Sequence, residues 1–305
     1  MDELLDSWTR SLRARARSEA TIDAYLTDSR KLSTWLDARG CSLVDAGRRD
    51  IEGFLAGMRE SGLAAATIAR KYRSFLQLYK WLEEEAEIDV NPMVKMRPPK
   101  VPVQPPPVIT PADLAKLLAA CDRPRQRPGR PKPANPDRAT YENKRDKALI
   151  LLLATTGIRA GELMGLTRDD LDLNHGTFTV MGKGGRRRDV LLLPKPAEAV
   201  DKYLRARRKH PKAALPDLWL GDKGRLTDSG LRQLIERRCD DADIGRINPH
   251  RFRHTFAHEA KSRGMSDGDL MAIAGWNSPQ MLHRYGASAA AERARESHLR
   301  FFGKD

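Results

Sequence analysis

Arg159 and Arg253 are where a chemical reading of this chain begins. Arg159 lies in Thr156-Gly157-Ile158-Arg159-Ala160-Gly161-Glu162-Leu163, and Arg253 in Pro249-His250-Arg251-Phe252-Arg253-His254-Thr255-Phe256. A guanidinium is a planar fork that can give two parallel hydrogen bonds to an oxyanion; lysine at either place would keep the charge and lose the fork. His250 stands three residues before Arg253, so on a helix the two face one way. An imidazole there can hydrogen-bond an oxyanion and assist in removing a proton. Lys183 sits in Gly182-Lys183-Gly184-Gly185, where the glycines let a partner come close to the backbone. Trp276 follows Ala274-Gly275, and Tyr285 comes nine residues later. Indole offers one donor and no base. A phenol, with a pKa of about 10, becomes a useful nucleophile only once deprotonated, which nearby positive charge assists. Glu162 could orient a neighbouring cation. Plainer readings stand beside these: a capping histidine after Pro249, an exposed hairpin lysine, a core tryptophan, a surface glutamate. His254 and His258, four apart, invite a metal, but there is no HExxH order and no obvious third ligand, so surface or structural roles are preferred.

These residues need elements to hold them. Residues 1–90 read as a small four-helix domain: an opening segment with Leu4, Leu5, Trp8 and Leu12, a helix over 18–37, and stripes at Ile51-Phe54-Leu55-Met58 and Ile68-Tyr72-Phe75-Leu76-Tyr79-Leu82. Its aromatics are assigned to the core, leaving Arg70, Lys71, Arg73 and Lys80 to face outward. Residues 91–140 hold 13 of the 19 prolines. Residues 91–109 read as an extended linker. Thr110-Pro111-Ala112-Asp113 is a helix start, with threonine as cap and proline in the first turn. The Pro/Arg-rich stretch at about 122–140 reads as a surface insertion in a second domain spanning 110–305. A buried helix follows over 144–156. Strands over 177–181 and 189–193 form a hairpin around the Lys183 glycines, with Arg186, Arg187 and Arg188 beside its tip. Helices are expected over 197–209, 228–241, 249–263, 267–274, 278–284 and 290–302. Ser278-Pro279 is a further helix start.

Charge divides along the same line. Residues 1–90 carry 14 Lys+Arg against 16 Asp+Glu, and the rest carries 41 against 25. The overall excess of +14 therefore belongs to the second part, which suits a polyanionic partner. A hydrophobic content of 40% supports packed cores and excludes wholesale disorder. No apolar run approaches membrane-spanning length and the start MDELLDSW has no apolar leader. Cys41, Cys121 and Cys239 form no CxxC pair, which speaks against a disulfide framework or zinc knuckle. A cytoplasmic location is the simple expectation.

Taken together and in order, the four segments closely resemble the tyrosine recombinases, the phage-integrase family that includes Xer-type resolvases. The resemblance covers residues 156–285, and residues 1–109 also resemble the family's core-binding domain and linker. It implies a mainly α fold with a small β-sheet hairpin: a helical, SAM-like core-binding domain and a mixed α+β catalytic domain. It implies strand cleavage through a 3′-phosphotyrosyl intermediate, with Tyr285 as nucleophile, Arg159 and Arg253 clamping phosphate, Lys183 as general acid, and His250 and Trp276 assisting. Glu162 then works by orienting Arg159 or His250. Trp276 departs from the family's commoner histidine. Arg70, Lys71, Arg73, Arg186, Arg187 and Arg188 become candidate DNA contacts. No metal, nucleotide or other cofactor is expected, because the ester conserves the bond energy.

The implied partners are double-stranded DNA with paired recombination sites and a homotetramer on synapsed DNA, with a monomer alone, an accessory directionality factor being compatible. The implied setting is the cytoplasm, for a bacterial or phage-derived protein associated with the nucleoid. The apolar tail after Tyr285, with Leu299, Phe301 and Phe302, would dock on a neighbouring protomer. Two rivals stay open at this point. One is a type IB topoisomerase, which shares the chemistry; the other is a non-catalytic DNA-binding protein with a relic site.

Overall fold

A computed structural model describes residues 2–102, 107–123, 136–182, 185, 187–276, 282, 294–295, 298–299 and 301–303. The chain divides into two units, Met1–Val103 and Gln104–Asp305. No helix among the described residues is long and apolar enough to cross a membrane.

The first unit holds α1 (Asp2–Ala14), α2 (Glu19–Asp37), α3 (Arg48–Glu60) and α4 (Ala65–Glu84). Ser18 caps α2 by accepting from Thr21 N, and Asp50 accepts from Gly47 N at the start of α3. The apolar stripes meet in one core of Leu5, Trp8, Ile22, Leu32, Phe54, Phe75 and Tyr79. Trp8 stacks on Tyr25 with centroids 5.8 Å apart. The same core takes in Met93, and the Tyr72 hydroxyl donates to Met96 O at 2.8 Å. The beginning of the proline-rich stretch is thus packed on this unit rather than extended in solvent.

Lys71 does not face outward. It is buried, as is Asp28 on α2, whose carboxylate accepts from Lys71 Nζ at 2.5 Å, from Arg70 Nη1 at 2.6 Å and from Ser74 Oγ at 2.8 Å. Arg70 is half committed to the same pair, while Arg73 and Lys80 remain exposed. Burial pushes the Asp28 carboxyl up, but Arg70, Lys71 and Ser74 outweigh it and hold the group below the ordinary carboxylate range. Its contribution to stability is therefore complete above the unfolded pKa and is lost as pH falls through the lower folded value. Asp28→Ala leaves Lys71 buried without its counter-charge and is expected to destabilise this unit by about 3–5 kcal/mol. Hydrogen exchange of α2 and α4 amides checks it, and unchanged protection would show the pair to be dispensable.

The second unit holds α5 (Pro111–Ala120), α6 (Pro136–Thr156), α7 (Ala160–Met164), α8 (Pro194–Arg207), α9 (Asp228–Ala242), α10 (Pro249–Ser262) and α11 (Asp267–Ala274). Strands β1 (Leu171–Asp172), β2 (Thr177–Met181) and β3 (Arg187–Leu191) form an antiparallel sheet in that order, and β4 (Leu220–Gly221) pairs with β5 (Gly224–Arg225). Thr110 caps α5 by accepting from Asp113 N, as its spacing predicts. Residues 124–135 of the expected insertion, and most of the expected helices 278–284 and 290–302, lie outside the described residues.

Two boundaries differ from expectation. Helix α6 begins at Pro136, eight residues before the predicted start at Lys144. Proline is compatible with a first helical turn, and Tyr141 anchors the early part by donating to Leu220 O at 3.0 Å. Strand β3 begins two residues early, because Met181 pairs with Arg187 to close the ladder at the hairpin. The core lies between α6, α8 and α9, with Leu149, Leu153, Tyr203, Trp219, Leu231 and Phe252 inside. A buried polar knot fixes the helices: Arg238 on α9 donates to Asp146 on α6 at 2.9 Å and to Ala120 O of α5 at 3.1 Å.

Candidate active site

Two helix ends create the site. Helix α6 stops at Gly157, which takes φ +59. Helix α11 stops at Gly275, a left-handed C-cap with φ +64. The last carbonyls of a helix lack intrahelical partners and carry its negative end, so they attract cations. Both arginines answer that demand. Arg253 is buried, and donates from Nη1 to Gly157 O and from Nη2 to Ala274 O, each at 2.6 Å. Arg159 Nη2 donates to Gly275 O at 2.8 Å. The two guanidiniums are thus fastened to the ends of α6 and α11.

The glycines are required by this arrangement. A Cβ on Gly157 would come within 2.4 Å of Phe256 Cδ1, and one on Gly275 within 2.8 Å of Arg188 Nη1. Both also occupy the left-handed region that side chains disfavour.

Glu162 lies in the first turn of α7, with its side chain 6% exposed. Its carboxylate accepts from Arg159 N at 3.1 Å and Arg159 Nη1 at 2.6 Å, and from Arg188 Nη2 at 2.7 Å and Nη1 at 3.2 Å. Burial raises its pKa, but the donors from Arg188 and Arg159 outweigh burial and keep the group below the usual carboxylate range. Glu162 is thus in contact with Arg159, through both its backbone N–H and its guanidinium. Arg188 is corrected accordingly. It does not project into solvent with Arg187: besides Glu162 it donates from Nε to Ile273 O at 3.2 Å, so it ties strand β3 to α7 and to the end of α11. An inward carboxylate on another element turned it away from the expected surface.

His250 sits in the first turn of α10, which Asn248 caps by accepting from Arg251 N at 2.9 Å. Desolvation, then the charges of Arg253 and Arg159, push its imidazole below the ordinary value, which favours the neutral form. Its ring meets His254 edge-on at 4.2 Å between centroids. Among the described residues no group of three His, Cys, Asp or Glu is placed to hold a metal. Trp276 is buried in a small cluster with Ala257, Leu270 and Ala274, and the Arg253 guanidinium lies 4.8 Å from its ring centroid. Arg159, His250 and Arg253 line one open cleft of about 520 Å³ with Ile158, Ala160, Asn248, Pro249 and Arg232. Sequence reasoning missed Arg232, since one arginine on an amphipathic helix carries no local signal. Lys183, Arg186 and Tyr285 lie outside the described residues.

Comparison with known proteins supplies the family. Residues 108–292 match the model of the phage integrase family, and residues 5–86 match that of the phage integrase N-terminal SAM-like domain. The chain belongs to the phage integrase family of tyrosine recombinases. It is 32% identical over 256 residues to tyrosine recombinase XerD of Neisseria meningitidis serogroup B, covering 82% of this chain and 81% of that protein. It is 30% identical over 283 residues to XerD of Listeria monocytogenes serotype 4b, covering 90% and 89%. In fold it is similar to the XerH site-specific recombinase solved in a post-cleavage complex with a palindromic difH substrate, with a TM-score of 0.74 at 19% identity, over 97% of this chain and 83% of that one. As a tyrosine recombinase, the chain is a site-specific recombinase that cleaves and rejoins DNA. The fold class is the expected one, mostly helical with small antiparallel sheets.

Proposed function

We propose that Arg159 and Arg253 clamp the scissile phosphate of duplex DNA, and that Tyr285 attacks its phosphorus in line. The observation that carries this is the pair of guanidiniums fastened to two helix ends and facing one cleft with His250. The phenolic oxygen of Tyr285 forms the new P–O bond while the bond to the 5′-oxygen breaks. His250, neutral by virtue of its surroundings, takes the phenolic proton. Lys183 Nζ gives a proton to the departing 5′-oxygen. Developing charge on the phosphorane is met by donors already in place, so little reorganisation accompanies the step. Trp276 supports the Arg253 face. The 5′-hydroxyl of a partner strand then reverses the attack, and the phosphotyrosyl ester carries the bond energy between the two events.

The partner is double-stranded DNA bearing paired sites, and the active assembly is a tetramer on two synapsed sites built from protein that is monomeric alone. Exposed Leu299, Phe301 and Phe302 support that reading, because an apolar tail calls for a covering surface. An accessory directionality factor fits the same scheme, as does residence at the bacterial nucleoid. Arg73 and Arg187, both exposed, remain DNA-contact candidates, as does Arg186.

The test is capture of the covalent adduct on a library of nicked duplexes, in EDTA and without nucleotide, resolved by denaturing electrophoresis. The parent is expected to yield a DNA-linked band whose peptide map ends on Tyr285. Tyr285→Phe, which removes one oxygen and keeps the ring, is expected to yield none while retaining DNA affinity. An adduct from Tyr285→Phe, or DNA mapped to another residue, would overturn the assignment. Relaxation of supercoiled DNA without strand exchange would favour the topoisomerase reading instead.

A further inference from the structure

The cleft has a second wall, contributed by the start of α9. Thr227 caps this helix by accepting from Gly230 N at 3.1 Å, and Arg232 lies in its second turn and lines the cleft together with residues of α7 and α10. Its situation differs from that of the other two arginines. Arg159 gives donors to Glu162 and Gly275 O, and Arg253 to Gly157 O and Ala274 O. Arg232 is exposed, and among the described residues it has no hydrogen-bond or ion-pair partner. No carboxylate side chain is among the cleft's lining residues. Burial, and then the charges of Arg253 and Arg159, hold His250 below its ordinary value, so two positive charges already act inside the cleft. Adding a third guanidinium to such a place is unfavourable in the empty protein, and becomes favourable when an anion enters. The cleft volume of about 520 Å³ far exceeds one phosphate group, so the strand on either side of the clamped phosphate also has room.

We infer that Arg232 grips a backbone phosphate flanking the one held by Arg159 and Arg253. This rests on the DNA-cleavage reading of the cleft and adds to it a contact made in the bound state, before chemistry. A phosphate contact differs from a base contact in its readout: it is indifferent to sequence and releases a counterion.

The experiment is fluorescence anisotropy of the full-length protein on a short labelled duplex of arbitrary sequence, across a sodium chloride series. Neutralising one phosphate contact changes the slope of log affinity against log salt by about 0.9. Arg232→Gln is therefore expected to bind more weakly at every salt concentration, with a slope shallower by about 0.9, and Arg232→Lys to restore the parent slope. Lys195→Gln, at an exposed position of α8 and outside the cleft, is the comparison for a mere loss of net charge. Because Arg232 loses no partner, thermal unfolding of Arg232→Gln should match the parent, so weakened binding cannot be ascribed to misfolding. An unchanged slope, or a change no larger than that of Lys195→Gln, would overturn the inference. Adduct capture on the parent protein stands as the separate readout. A parent that binds duplex without forming adduct fails the cleavage reading, while the slope alone decides Arg232.

Discussion

Arg253→Lys is expected to lower the rate of covalent adduct formation by about 10²–10³ at saturating protein, since loss of one preorganised oxyanion donor has that effect. The reason lies in how Arg253 distributes its donors. Its guanidinium bridges Gly157 O and Ala274 O, 2.6 Å from each, and lies over the Trp276 ring. Lysine offers a compact point charge on a flexible stem. It can satisfy one carbonyl or reach a phosphate, but it cannot span two helix ends and present an aligned pair of N–H groups at once. Arg253→Ala should be worse in a second respect. Both carbonyls would lose their donor in a buried setting, at about 1–3 kcal/mol each. The split between the variants is the informative part: lysine should lose rate with modest loss of stability, alanine both. Single-turnover adduct formation, with DNA affinity and thermal unfolding measured alongside, checks this. A lysine variant within tenfold of the parent would show that the fork is not used.

The second large effect concerns Glu162 and Arg188. Glu162→Ala is expected to destabilise the catalytic unit by about 3–5 kcal/mol, because it leaves the largely buried Arg188 without its counter-charge. It should also slow adduct formation, because Arg159 loses the carboxylate that orients it. Adding Arg188→Ala should recover part of the stability but not the rate, since Arg159 stays unheld. The stability coupling between the two sites is expected at about 1–3 kcal/mol, in the range found for residues in direct contact. Additive losses in the double variant would contradict the linkage. The depressed pKa of Glu162 gives a second handle. Its stabilising contribution is complete above the unfolded value and is lost as pH falls through the folded one, and the Glu162→Gln protein should lack that acid limb.

The contrast between Arg253 and Arg188 shows what spacing along the chain can and cannot reveal. His250 and Arg253 share a face at a separation of three, so their partnership is local and legible. Arg159 lies 94 residues before Arg253, and only the resemblance of the ordered segments to a family placed them together. Lys71 and Arg188 were read as surface cations because nothing near them in sequence contradicts that. Asp28 is 43 residues from Lys71 and Glu162 is 26 from Arg188. A carboxylate supplied by another element turns a surface residue into a buried one without leaving a periodic mark. Pro136 pointed away from the helix it opens, since proline marks both loops and first helical turns. Strands of two residues such as β1, β4 and β5 are too short to show alternation.

Gly157 has a genetic consequence. Any L-amino acid there must adopt a left-handed backbone and push Phe256 aside from 2.4 Å, and the carbonyl displaced is the one that holds Arg253. In a saturation library selected for recombination, no other amino acid at 157 should survive, and Gly275, whose Cβ would strike Arg188, should behave the same way. A fitness map would then rank two residues that have no side chain alongside the arginines proposed to clamp the phosphate. Selecting second-site suppressors would separate the classes: a smaller residue at Phe256 can relieve Gly157→Ala in part, whereas no repacking supplies the donors missing from an Arg253 variant.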